Sequence, residues 1–373
     1  MVHALLDATA IPVDRGGVGR YLDGLIGELA RLESLRLTVV CQSHDAASYA
    51  ESGAEVIAAP ASITGRAQRL AWEQTRLPAL ARTVGADVLH SPHYTMPLRA
   101  GLPVVVTVHD ATFFSDPQLH TGVKRRFFTT ATRIALRRAN EVVVPSAATR
   151  RELVRLVSPR ANRATVAAHG VDASVFHQPA EAEVGDLRRD LGLGQQPFVA
   201  FLGTIEPRKN VSNLIRGWVQ AASTLDDPPA LVIAGGRGWD SSVAAAEAAV
   251  PDSLRLIRPG YLPLEQVRAL LGGAEVVAYP ALGEGFGLPV LEAMACGAAV
   301  LTTRRLSLPE VGGDAAEYCD VDAGSIGSAL ADLIGDPVRR HELAKRGIDR
   351  AATFSWARSA KIHADVYRRA AGR

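Results

Sequence analysis

At 373 residues the chain exceeds one ordinary hydrophobic core, so two domains are expected. Its 47% hydrophobic and 21% charged residues fit a soluble globular protein, and a net charge of +2 excludes a polycation built to grip nucleic acid. Cys41, Cys296 and Cys319 are too scattered for a disulfide framework or a zinc site and suit a reduced, cytoplasmic setting. The opening "MVHALLDATAIPVDRGG" lacks the pattern of a secretory leader, and no apolar run reaches the ~18 residues of a membrane span.

After a first strand, "DRGGVGRYL" (14–22) opens a helix. Gly16 and Gly17 there can present backbone amides to a phosphate. Leu22 stands where the last glycine of a dinucleotide fingerprint would be, which argues against a nicotinamide oxidoreductase. Near-continuous apolar runs follow as strands: "LRLTVVCQ", "ADVLHSP", "LPVVVTVHD" and "EVVVPS". His109 and Asp110 sit just past the third of these, at the carboxyl edge, where a histidine serves either structure or a site. The segment "GVKRRFFTTATRIALRRAN" (122–140) carries six cations among aromatic and aliphatic residues, and no acidic residue lies between Asp116 and Glu141. It reads equally as a basic amphipathic surface for anionic membrane lipid or a lipid-pyrophosphate acceptor, and as a solvated helix face.

A polar stretch at 172–197 reads as a linker and entry helix. The alternation then restarts with "PFVAFLGT", "ALVIAGG", "LRLIRPG", "AEVVAYP" and "AAVLTT". Apolar strands alternating with helices predict a parallel sheet covered on both faces, twice over: an α/β chain of two Rossmann-like doubly wound domains facing each other across a cleft. The first domain is expected over 1–176 and the second over 177–355.

Two strings in the second half carry chemistry. "FLGTIEPRKN" (201–210) places Arg208 and Lys209 in a turn after a strand, where two cations can neutralise a diphosphate without a metal. "EGFGLPVLEAMACG" (284–297) puts Glu284 on a glycine-rich turn and Glu292 about one turn into the next helix, with Pro289 in its first turn and Gly297 just past its end. Two carboxylates flanking a phosphate cradle suit a ligand with hydroxyls on both sides of its phosphates, which describes a nucleoside-diphosphate sugar. The "DVD" at 320–322 mimics a metal motif but lies in a loop, and no metal-ligand spacing is found, so no metal is expected.

Together "GGVGRY", "WEQTRLP", "DVLHSP", "TVHD", "GTIEPRKN", "EGFGLPVLEAMACG" and "SLPEVGGDAA" resemble, over almost the whole chain, the retaining GT-B glycosyltransferases with an E-x7-E signature. The resemblance implies that Glu284 binds donor-sugar hydroxyls, Glu292 the ribose, and Arg208 and Lys209 the diphosphate. It implies that the amides of Phe286, Gly287 and Leu288 face the sugar and phosphates. Gly16 and Gly17 would close over the phosphates from the first domain, and His109 would lie beside the reacting carbon. It implies a final helix, 356–373, packing back on the first domain. Many members have an arginine at the position of Thr204 or Ile205, and this chain does not. The "GT-x-EPRKN" form is closer to bacterial mannosyl- and rhamnosyltransferases, which implies GDP-mannose as donor, no cofactor, and a glycan or lipid-linked acceptor. The same fold leaves a UDP-sugar transferase, a sugar-nucleotide epimerase or a non-catalytic sugar-nucleotide sensor as alternatives. The expected setting is cytoplasmic, or peripheral on the inner face of the membrane.

Overall fold

The computed structural model describes residues 1–11, 15–63 and 65–373. Two compact units emerge, one of Met1–Gly170 with Ser355–Arg373, the other Val171–Phe354. The chain leaves the first unit at Gly170, not after residue 176, because Val171 already bonds to the backbone of Phe354 in the second.

The first unit is a seven-stranded sheet of β1 (Val2–Asp7), β2 (Leu35–Cys41), β3 (Glu55–Ala58), β4 (Val88–Ser91), β5 (Val104–Thr107), β6 (Glu141–Val144) and β7 (Thr165–Val166). Its order is β3-β2-β1-β4-β5-β6-β7, and every pairing is parallel. The second unit holds β8 (Phe198–Leu202), β9 (Ala230–Ala234), β10 (Leu256–Gly260), β11 (Val276–Tyr279), β12 (Val300–Thr303) and β13 (Glu317–Cys319). These run in the order β10-β9-β8-β11-β12-β13, again parallel throughout. Strands β1, β5, β8, β9, β11 and β12 are buried along their whole length, as a sheet covered on both faces requires. In both sheets the order reverses beside the first strand, between β1 and β4 and between β8 and β11. Doubly wound sheets bind ligands at the carboxyl ends of such strands.

The helix Trp356–Ala370 belongs to the first unit and packs against the helix Gly17–Ala30. The approach is close enough that a Cβ on Gly24 would lie 2.3–2.6 Å from atoms of the Trp356 indole. Gly24→Ala is therefore expected to cost about 1–3 kcal/mol through overpacking, read as a lower melting temperature. A Cβ on Gly16 or Gly17 meets nothing within 4 Å, so alanine there should melt like the parent.

A buried chain of hydrogen bonds ties the same helix to the sheet. The Ser359 carbonyl accepts from Nδ1 of His363 at 2.8 Å, so a neutral His363 must accept at Nε2. Tyr21 donates there at 2.9 Å, and its oxygen is left to accept from Thr107 at 3.1 Å. Thr107 in turn accepts from Nε2–H of His90 at 2.8 Å, and Nδ1 of His90 accepts from Tyr367 at 2.8 Å. One carbonyl thus fixes the direction of every bond in the chain. His90 and His363 are fully buried, and burial pushes both imidazoles below their usual range, His363 to about 4.

Candidate active site

Strand β8 ends in Leu202, and the backbone of the loop beyond it presses against the loop after β9. Ile205 N–H donates to the Gly236 carbonyl at 3.0 Å, and Trp239 N–H to the Ile205 carbonyl at 3.0 Å. Gly238 has φ +61°, and a Cβ there would sit 1.9 Å from the Ile205 carbonyl oxygen, so the contact needs glycine. On this support a short 3-10 turn, Pro207–Lys209, carries both cations. Asn210 follows in the left-handed region at φ 60°, an unusual state for a residue with a Cβ. Its side-chain amide donates to the carbonyls of Pro280 at 3.1 Å and Val321 at 2.7 Å, which pins the turn against the end of β11.

That end of β11 brings in the carboxylate. Glu284 is 9% exposed, and its Oε2 lies 2.5 Å from an Arg208 Nη. Its Oε1 takes Lys209 Nζ at 2.5 Å and the Tyr279 hydroxyl at 2.8 Å, and Lys209 also donates to Tyr279. Arg208 bonds the Gly283 carbonyl at 3.0 Å, and its own carbonyl accepts from Leu282 at 2.8 Å. Ser307, fully buried, donates to the carbonyls of Glu284 at 2.7 Å and Phe286 at 2.8 Å and so holds the turn in shape. Burial would raise the Glu284 carboxyl, but Arg208 and then Lys209 outweigh it and hold it at about 2. Burial, then the adjacent guanidinium, pulls the Lys209 ammonium below the usual amine range against the pull of Glu284.

Arg208, Lys209 and Glu284 thus meet at the switch point of the second sheet. Phe286, Gly287 and Leu288 continue the same turn, with Gly287 at φ 109° as the N-cap of the helix Leu288–Ala295. Glu292 lies inside that helix at 2% exposure. Sequence reasoning did not single out Tyr279, Ser307 or Asn210. The Tyr279 signal was a hydroxyl at the end of an aliphatic strand. Asp322 caps the helix Ala323–Gly335 by accepting from Ser325 N–H at 3.0 Å, and Val321 accepts from Asn210, so "DVD" serves as a capping turn.

In the first unit, Gly16 is the N-cap of Gly17–Ala30 and adopts φ −89°, a conformation open to any residue. Neither conformation nor neighbours demand glycine at 16 or 17, and both residues are exposed. Asp14 of the same string lies outside the described residues. His109 follows β5 and donates from Nε2 to the Pro92 carbonyl at 2.7 Å. Burial pushes its imidazole down, so the ring is neutral and Nδ1 keeps a lone pair. The rings of Tyr21, Tyr94, His93 and His169 surround it, at centroid distances of 5.1–6.1 Å. Asp110 accepts from the amide and hydroxyl of Thr112, which makes it a turn former.

Family models described as Glycosyltransferase Family 4 and Glycosyl transferases group 1 match residues 15–175 and 184–350. The O-antigen chain mannosyltransferase B of Escherichia coli is 30% identical over 273 residues, 72% of this chain and 71% of that protein. An alpha-maltose-1-phosphate synthase of Mycolicibacterium smegmatis is 26% identical over 95% of both chains. Among solved structures, Anabaena HepE in complex with UDP-glucose superposes with a TM-score of 0.78 at 16% identity, over 98% of this chain and 99% of that one.

Proposed function

The chain belongs to the glycosyltransferases of the GT-B type, and from that premise we propose that it is a retaining hexosyltransferase that moves mannose from GDP-mannose to a glycan or lipid-linked acceptor. The observation that carries the reading is the buried cluster of Glu284 with Arg208 and Lys209 at the switch point of the second sheet. Two cations held there by one carboxylate form a preset anion site, and a diphosphate offers them more charge than Glu284 does. On binding, the cations pass to the diphosphate, and Glu284 is released toward the hydroxyls of the donor sugar. The amides of Phe286, Gly287 and Leu288 stand at the start of a helix, where an anion is favoured. Glu292 is assigned to the ribose, and His109, neutral with a free Nδ1, to the reacting sugar.

In the step itself the anomeric carbon loses its bond to the phosphate oxygen and gains one to the acceptor oxygen on the same face. The acceptor's proton passes to the leaving phosphate, whose charge Arg208 and Lys209 stabilise. Support for mannose is the identity to the E. coli mannosyltransferase, and polysaccharide or glycolipid synthesis in the cytoplasm or at its membrane face follows from the acceptor class.

Thermal shift and donor hydrolysis with GDP-mannose, UDP-glucose, UDP-N-acetylglucosamine and UDP-galactose test the donor. GDP-mannose is expected to give the largest shift, and no response to any of the four would overturn the reading. Activity should persist in EDTA, since the cluster supplies its own positive field. Lys209→Ala should cost roughly 2–4 kcal/mol of transition-state stabilisation, read as kcat/KM, by analogy with losing one preorganised donor. A strict magnesium requirement, or full activity without Lys209, would count against the mechanism.

A further inference from the structure

Between the helices Arg66–Thr75 and Gly122–Arg138 the first unit forms an open groove of about 500 Å³. Its walls are apolar, with Leu70, Met96, Ala131 and Ile134 among them. Its one carboxylate, Glu73, is fully engaged. The Arg69 guanidinium donates to it at 3.0 Å, Gln74 at 2.9 Å and the Thr95 hydroxyl at 2.6 Å. A polar guest would find little to bond, whereas a groove of this lining suits an apolar one.

The mouth is unusual in a different way. Leu98, Val123 and Phe127 line it at 47%, 83% and 38% exposure, and they are three of the eight large hydrophobic side chains exposed among the described residues. Beside them stands Arg126, which itself lines the groove and whose side chain makes no ion pair among the described residues. No acidic residue occurs in the chain between Asp116 and Glu141 to offset it. Exposed apolar groups along an apolar groove, with an uncompensated cation at the rim, complement a molecule that has a hydrocarbon chain and an anionic head.

We propose that this groove seats the hydrocarbon chain of an anionic amphiphile, whose phosphate-bearing head rests on Arg126, and that this amphiphile is the lipid-linked acceptor. Calling it the acceptor rests on the transferase reading; the binding does not.

The test is calorimetric titration of the full chain with farnesyl diphosphate, in saturating GDP so that diphosphate sites elsewhere are filled. Farnesol and inorganic pyrophosphate are the comparison arms. Farnesyl diphosphate is expected to bind at least tenfold more tightly than pyrophosphate. Arg126→Gln should remove its advantage over farnesol. Thr130→Trp, at an exposed position on the groove wall, should weaken it at least tenfold with the melting temperature unchanged. If that variant melts early, Phe127→Ser gives the same reading from the exposed rim. Equal binding of farnesyl diphosphate and pyrophosphate, or indifference to both groove variants, overturns the proposal. So does binding of phosphatidylglycerol vesicles that Thr130→Trp leaves intact while farnesyl diphosphate fails to bind, since that marks a membrane contact and no chain site. The measurement needs no turnover, so its failure and a failure of the donor assays are separate results.

Discussion

Glu284→Ala is expected to lower turnover by at least two to three orders of magnitude and, without nucleotide, to melt roughly 6–20 °C below the parent. The two effects have different causes. Turnover falls because a group directed at the donor sugar is gone. Stability falls because Lys209, at 8% exposure, and Arg208 lose the carboxylate that neutralises both. Breaking a buried pair by removing one partner typically costs about 3–5 kcal/mol, since the remaining charge stays desolvated. A nucleoside diphosphate should then raise the melting temperature of the variant more than that of the parent, where it must first displace Glu284. Nucleotide affinity is accordingly kept or improved while transfer is lost. The deficit should also shrink as pH rises. Burial and Arg208 already depress Lys209, and losing its proton relieves the unpaired charge. Differential scanning fluorimetry with and without GDP, beside a transfer assay, reads all of this. A variant that melts with the parent and responds to GDP no more strongly would remove the charge-exchange mechanism.

The repeated β-α alternation was legible because the central strands are continuous apolar runs, "FVAFL" of β8 and "VVAY" of β11 among them. Three strands were not. β3, β7 and β13 have two to four residues, are mostly half-exposed, and lie at or next to sheet edges, so no continuous apolar run marks them. In the site, Arg208, Lys209 and Glu284 were each visible as charges at strand ends. Their convergence was not, because 75 positions separate Lys209 from Glu284 and only the pairing of β8 with β11 closes that gap. Tyr279, Ser307 and Asn210 act through a hydroxyl or amide inside apolar or turn sequence, where composition carries no signal. In the first half His109 drew notice for its place after an apolar strand. His90 and His363, buried more deeply, carried no mark in the sequence. Their bonds run through Tyr21 and Thr107, partners up to 342 residues away.

That histidine cluster leads to the other large expected effect, acid lability confined to the first unit. His90, His93, His109, His169 and His363 all belong to it, and burial is the first cause that pushes each imidazole below its usual range. His93 is lowered to about 3 and His363 to about 4. A ring held neutral in the fold takes up its proton only after unfolding once the pH drops below about 6.5. Its contribution is therefore whole above that pH and is lost as pH falls toward the folded value. At pH 4.5 each of these two rings would cost about 2.5 kcal/mol, and the pair about 5, the low end of a domain's total stability. Asp7, Asp23 and Glu73, raised by burial, act in the opposite sense and return stability as pH falls from their raised values to the usual carboxylate range, which offsets part of the loss. Hydrogen exchange, corrected for intrinsic rates, should show the helices Gly17–Ala30 and Trp356–Ala370 losing protection between pH 7 and 5 while Val211–Ala222 in the second unit keeps it. His363→Gln should be less stable at pH 7, because Tyr21 and the Ser359 carbonyl lose their partner, yet its further loss by pH 5 should be smaller by about 2 kcal/mol. Protection in the first unit that stays flat from pH 7 to 5, or a pH slope that His363→Gln leaves untouched, would mean that the buried rings do not set the acid limit.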